Sequence, residues 1–376
     1  MLRQTAIFML FALMLTPSIF ASEIYNNGTS SIASRGYLGV AYLNTDTTDE
    51  FTEAGSRIGL DFTHQIENDW TVGVTLEWAT NFNNNDNISF TQGGNSNGPA
   101  GKSNESLTAR HGYVSAYHDT WGTFSLGKQW ATFYDVTSVT DVLNFFGGNA
   151  AGSFNAGTDG GLSGTGRVEQ ALVWRKSFDN LQVGLQFQAQ NKSVKFDNAN
   201  SEFNGEEIAA IGNGYGLSFV YNLDEFNFGI GYNTTEIDLA EPFADLGFSI
   251  SDDKSIAYSI SYGQWTQPGL YAAAVFATTE NHEVDNEGRF FDAVGTEIIV
   301  WYVFENQISI YGGLNHLEAE ESDREYELHY EFTGIEYRFT DSKGLVYLEA
   351  KFNGNTLVNG SSQDHTDFAA GFRVNF

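Results

Sequence analysis

The sequence predicts an all-β chain: a closed antiparallel barrel of about sixteen strands that crosses a membrane. Three observations predict it. Side chains alternate strictly between apolar and polar in segment after segment, the connections are of unequal length, and the composition favours strands.

The last ten residues show the alternation most plainly. Phe368, Ala370, Phe372, Val374 and Phe376 fall on one face of a strand, and Asp367, Ala369, Gly371, Arg373 and Asn375 on the other. The end of a soluble chain usually frays into polar residues. A strand with lipid on one side and water on the other gives the observed pattern. Taken alone, the same decapeptide also fits the buried last strand of a soluble sandwich. Similar alternation recurs over residues 70–78, 181–189, 226–232, 256–263 and 346–352, with a period of two rather than 3.6.

The connections separate barrel from sandwich. Short polar turns at residues 67–69, 118–120, 177–180, 223–225 and 341–344 alternate with long polar segments at 83–105, 131–165, 193–211, 238–254 and 281–294. A sandwich turns alike at both ends, whereas short turns on one side and long loops on the other mark an outer-membrane barrel with both termini on the short-turn side. Trp174, Tyr221, Trp265, Phe304, Phe339 and Phe376 lie near strand ends, where interfacial aromatic girdles belong. One segment resists. Between residues 326 and 340 the apolar parity shifts near Gly334, which predicts a β-bulge or a different strand boundary there.

Composition agrees. Thirty-one Phe and 18 Tyr against 4 Pro favour strands, since proline removes ladder hydrogen bonds. Arg3, the apolar run 6–15 and Pro17 before Ala21 read as a secretory signal over residues 1–21, leaving 22–376 as one barrel domain. There is no cysteine, so an exported chain must be held by its ladder and packing. A formal net charge of −30 excludes a nucleic-acid partner, which needs clustered Lys and Arg. Acid runs such as Glu318, Glu320, Glu321, Asp323, Glu325 and Glu327 read as solvated surface. The seven histidines show neither an H-E-x-x-H pattern nor close ligand spacing, and P-loop and G-x-S-x-G motifs are absent. No catalytic residue, metal site or cofactor is therefore expected.

Several stretches carry a family resemblance: the start Ser22-Glu23-Ile24-Tyr25-Asn26, Ser56-Arg57-Ile58-Gly59-Leu60, and Arg110 through Gly122-Thr123-Phe124-Ser125-Leu126-Gly127-Lys128. The most specific is Tyr134-Asp135 followed by Thr140-Asp141-Val142-Leu143-Asn144-Phe145-Phe146-Gly147-Gly148, then Gly166-Arg167-Val168 and the terminal Phe376. The chain resembles the general, trimeric sixteen-stranded porins of Gram-negative outer membranes. That resemblance implies a third extracellular loop, here residues 131–165, folded into the barrel to form a constriction. It also implies a homotrimer in outer-membrane lipid and lipopolysaccharide, with Phe376 read by the barrel-assembly machinery.

By the same resemblance Asp141 matches the family's loop acid, and Arg57, Arg110 and Arg167 match three wall arginines opposite it. Strand parity agrees independently. Ile58 and Leu60 are expected to face lipid and Arg57 the lumen; Val168, Leu172 and Trp174 are expected outside and Arg167 inside. A charge turned to mid-membrane lipid would cost about 2–4 kcal/mol. Two positions depart from the family pattern: Phe145 stands where a second loop acid is usual, and Tyr37 where an early basic residue is usual. One acid and one base are lost together, so a weaker transverse field is expected.

The expected function is a water-filled channel, not an enzyme, for passive diffusion of ions and small hydrophilic solutes, with mild cation preference. An alternative is a sugar-selective porin, in which Trp130, Phe133 and Tyr134, with Phe145, Phe146 and Phe154 nearby, stack on sugar rings; the same residues could instead pin the loop to the wall. A barrel plugged by its own side chains is disfavoured by inward Gly and Ser.

Overall fold

The computed structural model describes residues 22–82, 91–92, 95–96, 106–155, 158–195, 207–240, 252–285, 290–320, 325–339, 343–358 and 360–376. The signal segment 1–21 and nearly all of the expected loop 83–105 lie outside the described residues.

Among the described residues, nineteen segments join into one sheet. In chain order they are β1 (Ser30–Asn44), β2 (Asp49–Glu53 continued by Arg57–Gln65), β3 (Thr71–Thr80), β4 (Leu107–His118), β5 (Gly122–Trp130), β6 (Arg167–Phe178), β7 (Leu181–Gln188 continued by Lys192–Lys195) and β8 (Glu207–Leu223). β9 (Phe226–Leu239), β10 (Asp253–Tyr262), β11 (Gly269–Val284), β12 (Phe290–Val303), β13 (Ile308–Ala319), β14 (Glu327–Arg338), β15 (Gly344–Thr356) and β16 (Ser362–Asn375) complete sixteen. The remaining segment, Ser22–Asn26, serves as an extension of β16. Tyr37–Asn44 of β1 pair with Phe368–Asn375, and Ser31–Ser34 of the same edge pair with Ser22–Asn26. The other edge of β1 is paired with β2. The sheet therefore closes on itself, the one sheet arrangement that satisfies its own backbone in lipid.

The outer surface is apolar on every side. Phe62, Leu126, Leu185, Tyr258, Val300 and Leu348 are among many large apolar side chains left exposed there. Such a continuous apolar exterior is stable against lipid and not against water. The short turns are built from residues that tolerate positive φ: Asn68 (59°), Asp69 (62°), Asp179 (51°) and Asp224 (53°).

Three expectations need correction. No bulge occurs at Gly334, because β14 runs in unbroken register with both neighbours. The parity shift arises because the face that is apolar changes: Leu328, Tyr330 and Phe332 pack inward on a core, whereas Ile335 and Tyr337 face outward. Gly334 is required for another reason. A Cβ there would lie 2.3 Å from the ring of Tyr311, which sits directly across from it. Trp265 is not a girdle residue; it meets Trp301 edge-on at 6.0 Å and stacks under Arg338 at the inner core. Finally, the loops are shorter than expected. β11 reaches Val284 and β12 begins at Phe290, inside the expected loop 281–294, and the first far-side connection is only residues 45–48. Strands that rise above the lipid have no apolar face, so alternation cannot reveal them.

The interior is uneven, and this positions the site. Inward residues of β11 to β14 include Tyr271, Ile299, Trp301, Tyr311, Tyr330 and Phe332, which form a buried cluster. Val139, Val142 and Leu143 of the third far-side loop pack on it. The wall from β1 to β6 is instead lined by charges.

Candidate functional site

The loop after β5, residues 131–166, leaves the wall and runs inside the barrel. It opens with a single helical turn, α1 (Tyr134–Thr137), whose Tyr134, Val136 and Thr137 are buried. Its start is clamped electrostatically: Arg175 of β6 donates from Nε to Asp135 Oδ2 at 2.8 Å and from Nη2 to the carbonyls of Trp130 and Ala131 at 2.9 and 3.1 Å. Asp135 is thus a structural anchor and not a free lumen acid.

The middle of the loop is held by carboxylates that accept from main-chain amides. Glu349 of β15 accepts from the N–H groups of Asn144, Phe145 and Phe146 at 2.8, 3.0 and 3.0 Å, and from the Tyr311 hydroxyl at 2.8 Å. Glu297 of β12 accepts from Ala150 and Ala151 at 2.8 and 3.0 Å and from the Thr140 hydroxyl. Glu336 of β14 accepts from the Asn144 side chain at 2.8 Å. The loop touches the wall so closely that a Cβ at Gly295 would lie 1.7 Å from the Ala150 carbonyl oxygen. The return of the loop is pinned from β7 and β9, where Gln186, Gln188 and Asn233 donate to the carbonyls of Gly164, Gly161 and Ser163.

Across from this loop stands the arginine wall. Arg35 reaches Asp61 at 2.7 Å and Glu77 at 2.5 Å, and Arg110 reaches the other oxygen of Glu77 at 2.8 Å. Arg57 donates to the Tyr37 hydroxyl at 2.7 Å, and the Tyr37 ring lies between the guanidiniums of Arg57 and Arg373, 4.6 and 4.7 Å from its centre. Arg167 donates to Asp159 at 3.2 Å and rests over Trp130 and Phe154 at 5.3 and 5.6 Å. Lys128 joins Asp159 and Glu169 at 2.9 and 3.0 Å.

Most of the predicted residues converge. Arg110 lies within electrostatic reach of both Arg57 and Arg167. Tyr134 lies within reach of Arg57, Arg167 and Asp141, and its hydroxyl donates to Asp141 at 2.7 Å. Tyr37 joins them through Arg57. Phe145 lies apart, against Phe146 on the β15 side, and its role in the contact is carried by its amide. Trp130 stacks on Tyr134 at 3.8 Å with the rings 10° from parallel, and Phe154 closes on both. Phe133 is fully buried with Val136, Ala257 and Val275, so it offers no ring face to a solute.

The parity argument for Arg57 holds, with Ile58 exposed outside. The one for Arg167 does not. A register shift between Val168 and Ala171, with Gln170 at a φ of 52°, breaks the alternation, and Val168 is buried with Ala131, Ala171 and Val173. Arg167 is positioned by the loop instead. Sequence reading missed Arg35, Glu77, Glu297, Glu349 and the Asp135–Arg175 pair. Inward parity marks Glu77, Glu297 and Glu349 as lumen-facing, and nothing local distinguishes their partners.

A family model described as Gram-negative porin matches residues 10–372. Outer membrane porin C of Enterobacter cloacae is 25% identical over 356 residues, spanning 91% of this chain and 90% of that one. Outer membrane protein U of Vibrio parahaemolyticus is 24% identical over 95% of this chain and 94% of its own. Among solved structures, the Salmonella typhi OmpF complex with daunomycin superposes with a TM-score of 0.69 at 19% identity, over 94% of this chain and all of that one. The trimer form of Vibrio cholerae OmpT superposes at 0.61 with 16% identity, over 93% and 100%.

Proposed function

Because the chain belongs to the Gram-negative porin family, and so forms an outer-membrane channel and not an enzyme, we propose that ions and small hydrophilic solutes cross it passively with a modest preference for cations. One observation carries the preference: Arg35, Arg110 and Arg167 of the wall already have acid partners, while Arg57 and Arg373 lie against Tyr37. Glu77 sits between Arg35 and Arg110, and Asp159 holds Arg167. With those charges balanced locally, the net charge of −30 on the whole chain sets the sign of the field at the mouths.

The test is a reversal potential across a salt gradient in a planar bilayer. Cation preference at low salt that fades as salt rises supports the reading; anion preference at low salt overturns it. Asp141→Asn is expected to lower the preference and Arg110→Ala to raise it. Unchanged reversal potentials in both would remove these residues from the constriction.

The sugar-selective alternative finds less support. One face of Trp130 is covered by Tyr134 and Arg167 packs near its ring, while Phe133 is buried; these contacts favour loop anchoring. Current block by oligosaccharides that disappears in Trp130→Ala would restore it. The assembly proposed is a homotrimer in lipopolysaccharide-bearing lipid. An apolar hollow on the outer face of β2 to β6, lined by Phe62, Val74, Val114, Phe124, Leu126 and Leu172, suits such a contact. Phe376 is proposed as the assembly signal; unchanged outer-membrane yield on its deletion would count against that role.

A further inference from the structure

The pore leaves one cluster on the barrel exterior unexplained. His316 of β13 and His329 of β14 are thirteen positions apart in sequence but directly opposite in the ladder, and the next pair on the same face is Glu318 with Glu327. By alternation this is the outer face, since Ile310 and Ile335 of the same rows are exposed while Asn315, Leu317, Leu328 and Tyr330 are buried inside. The cluster lies above the last apolar outward residue of β13, Leu314, toward the long-loop rim. It is also far round the barrel from the hollow on β2 to β6.

We propose that His316, Glu327 and His329 form a binding site for a divalent metal ion of the zinc class. The three residues place one donor atom each within 4.8 Å of one another. Two of the separations are those of a coordination polyhedron: His316 Nδ1 is 3.4 Å from His329 Nδ1 and 3.2 Å from Glu327 Oε1. Donors held tetrahedrally at about 2.0–2.1 Å from zinc stand about 3.3 Å apart. As a hydrogen bond between two rings, 3.4 Å is long. The far nitrogen of His316 faces Glu318, with Nε2 3.6 Å from Oε2. At that distance the two are an ion-pair contact and not a hydrogen bond, and a closer approach on metal binding would give the carboxylate–histidine–metal arrangement, in which an outer carboxylate fixes the tautomer and aims the inner nitrogen at the ion.

Charge points the same way. Glu318 and Glu327 are directly opposed in the ladder, and like charges so placed destabilise a strand pair unless a cation lies between them. Two imidazoles with one carboxylate select zinc, copper or nickel over calcium and magnesium, which prefer all-oxygen sites. Three protein donors leave a fourth position for water. Sequence spacing conceals the site because the ladder register, and not a short motif, brings the histidines together.

The experiment uses the refolded full-length protein in detergent, stripped with chelator, and titrates zinc by calorimetry and cobalt by visible absorption. One ion per chain is expected, with a tetrahedral cobalt spectrum, and calcium should not compete. His316→Gln and His329→Gln should each weaken zinc binding at least about tenfold, and Glu318→Gln by about ten- to a hundredfold. His365→Gln, on another strand, should leave it unchanged. Glu327→Gln keeps both rings and tests the third donor if a histidine variant fails to fold. Binding that survives the His316→Gln/His329→Gln double variant, equal competition by calcium, or an octahedral cobalt spectrum would each overturn the proposal.

Discussion

Two walls of the same barrel use glutamate in opposite ways. On the arginine wall, Glu77 of β3 spends both oxygens on guanidiniums, taking Arg35 on one and Arg110 on the other. On the facing wall, Glu349 of β15 takes three successive main-chain amides, those of residues 144, 145 and 146. Both side chains are inward and buried. The first therefore helps to set the charge balance of its wall. The second sets where the loop lies, and much of its own charge is absorbed by the amides. Main-chain recognition has a consequence for sequence: an amide is the same whatever side chain it carries. The side chain at position 145 can therefore vary without loosening the loop, because Glu349 reads its N–H group.

The largest effect should come from breaking the amide clamp. Glu349→Ala removes the acceptor for three amides and for Tyr311, leaving buried donors to find water. Hydrogen bonds to a charged acceptor contribute about 1.5–3 kcal/mol each, and loss of one partner of a buried charged group costs about 3–5 kcal/mol. A loss of stability in that range, measured by urea unfolding, should accompany open-channel current noise from a loosened loop. A quiet channel with an unchanged unfolding midpoint would mean that the hydrophobic contacts of Val139, Val142 and Leu143 hold the loop by themselves.

A sharper and smaller test separates amide from side chain. Phe145→Pro deletes one donor to Glu349, whereas Phe145→Ala keeps it. The proline variant should lose about 1.5–3 kcal/mol more than the alanine variant. Equal losses in the two would show that ring packing against Phe146, and not the amide, is what counts at this position.

How much of this was legible in the sequence differs between the walls for the same reason. Strand parity is local, so alternation identified the barrel and turned Arg57 inward. It failed where the ladder slips, as at Val168–Ala171, and where both faces change character, as along β14. It also missed the partners of every inward acid. Glu77 lies 33 positions from Arg110, and Glu349 lies more than 200 from the amides it binds. Barrel curvature and register determine such pairs, and no short spacing encodes them. The residues of the loop were found through family words such as Phe-Phe-Gly-Gly, which mark the clamped stretch without showing that the wall grips its backbone.

The smallest effect tests the charge wall itself. Glu77→Gln keeps the shape and removes one negative charge from between two arginines, so the wall becomes more positive by one unit. At about 8 Å in water, a unit charge acts on a passing monovalent ion with about 0.5 kcal/mol. That is about a twofold change in local concentration, down for cations and up for anions. The cation-to-anion permeability ratio should therefore fall about fourfold at low salt. At 1 M salt the screening length is about 3 Å and the variant should match the parent. A ratio that shifts equally at both salt concentrations would point to a moved loop and not to a changed field. In that case the two walls would be mechanically coupled, and the division of labour between Glu77 and Glu349 would not hold.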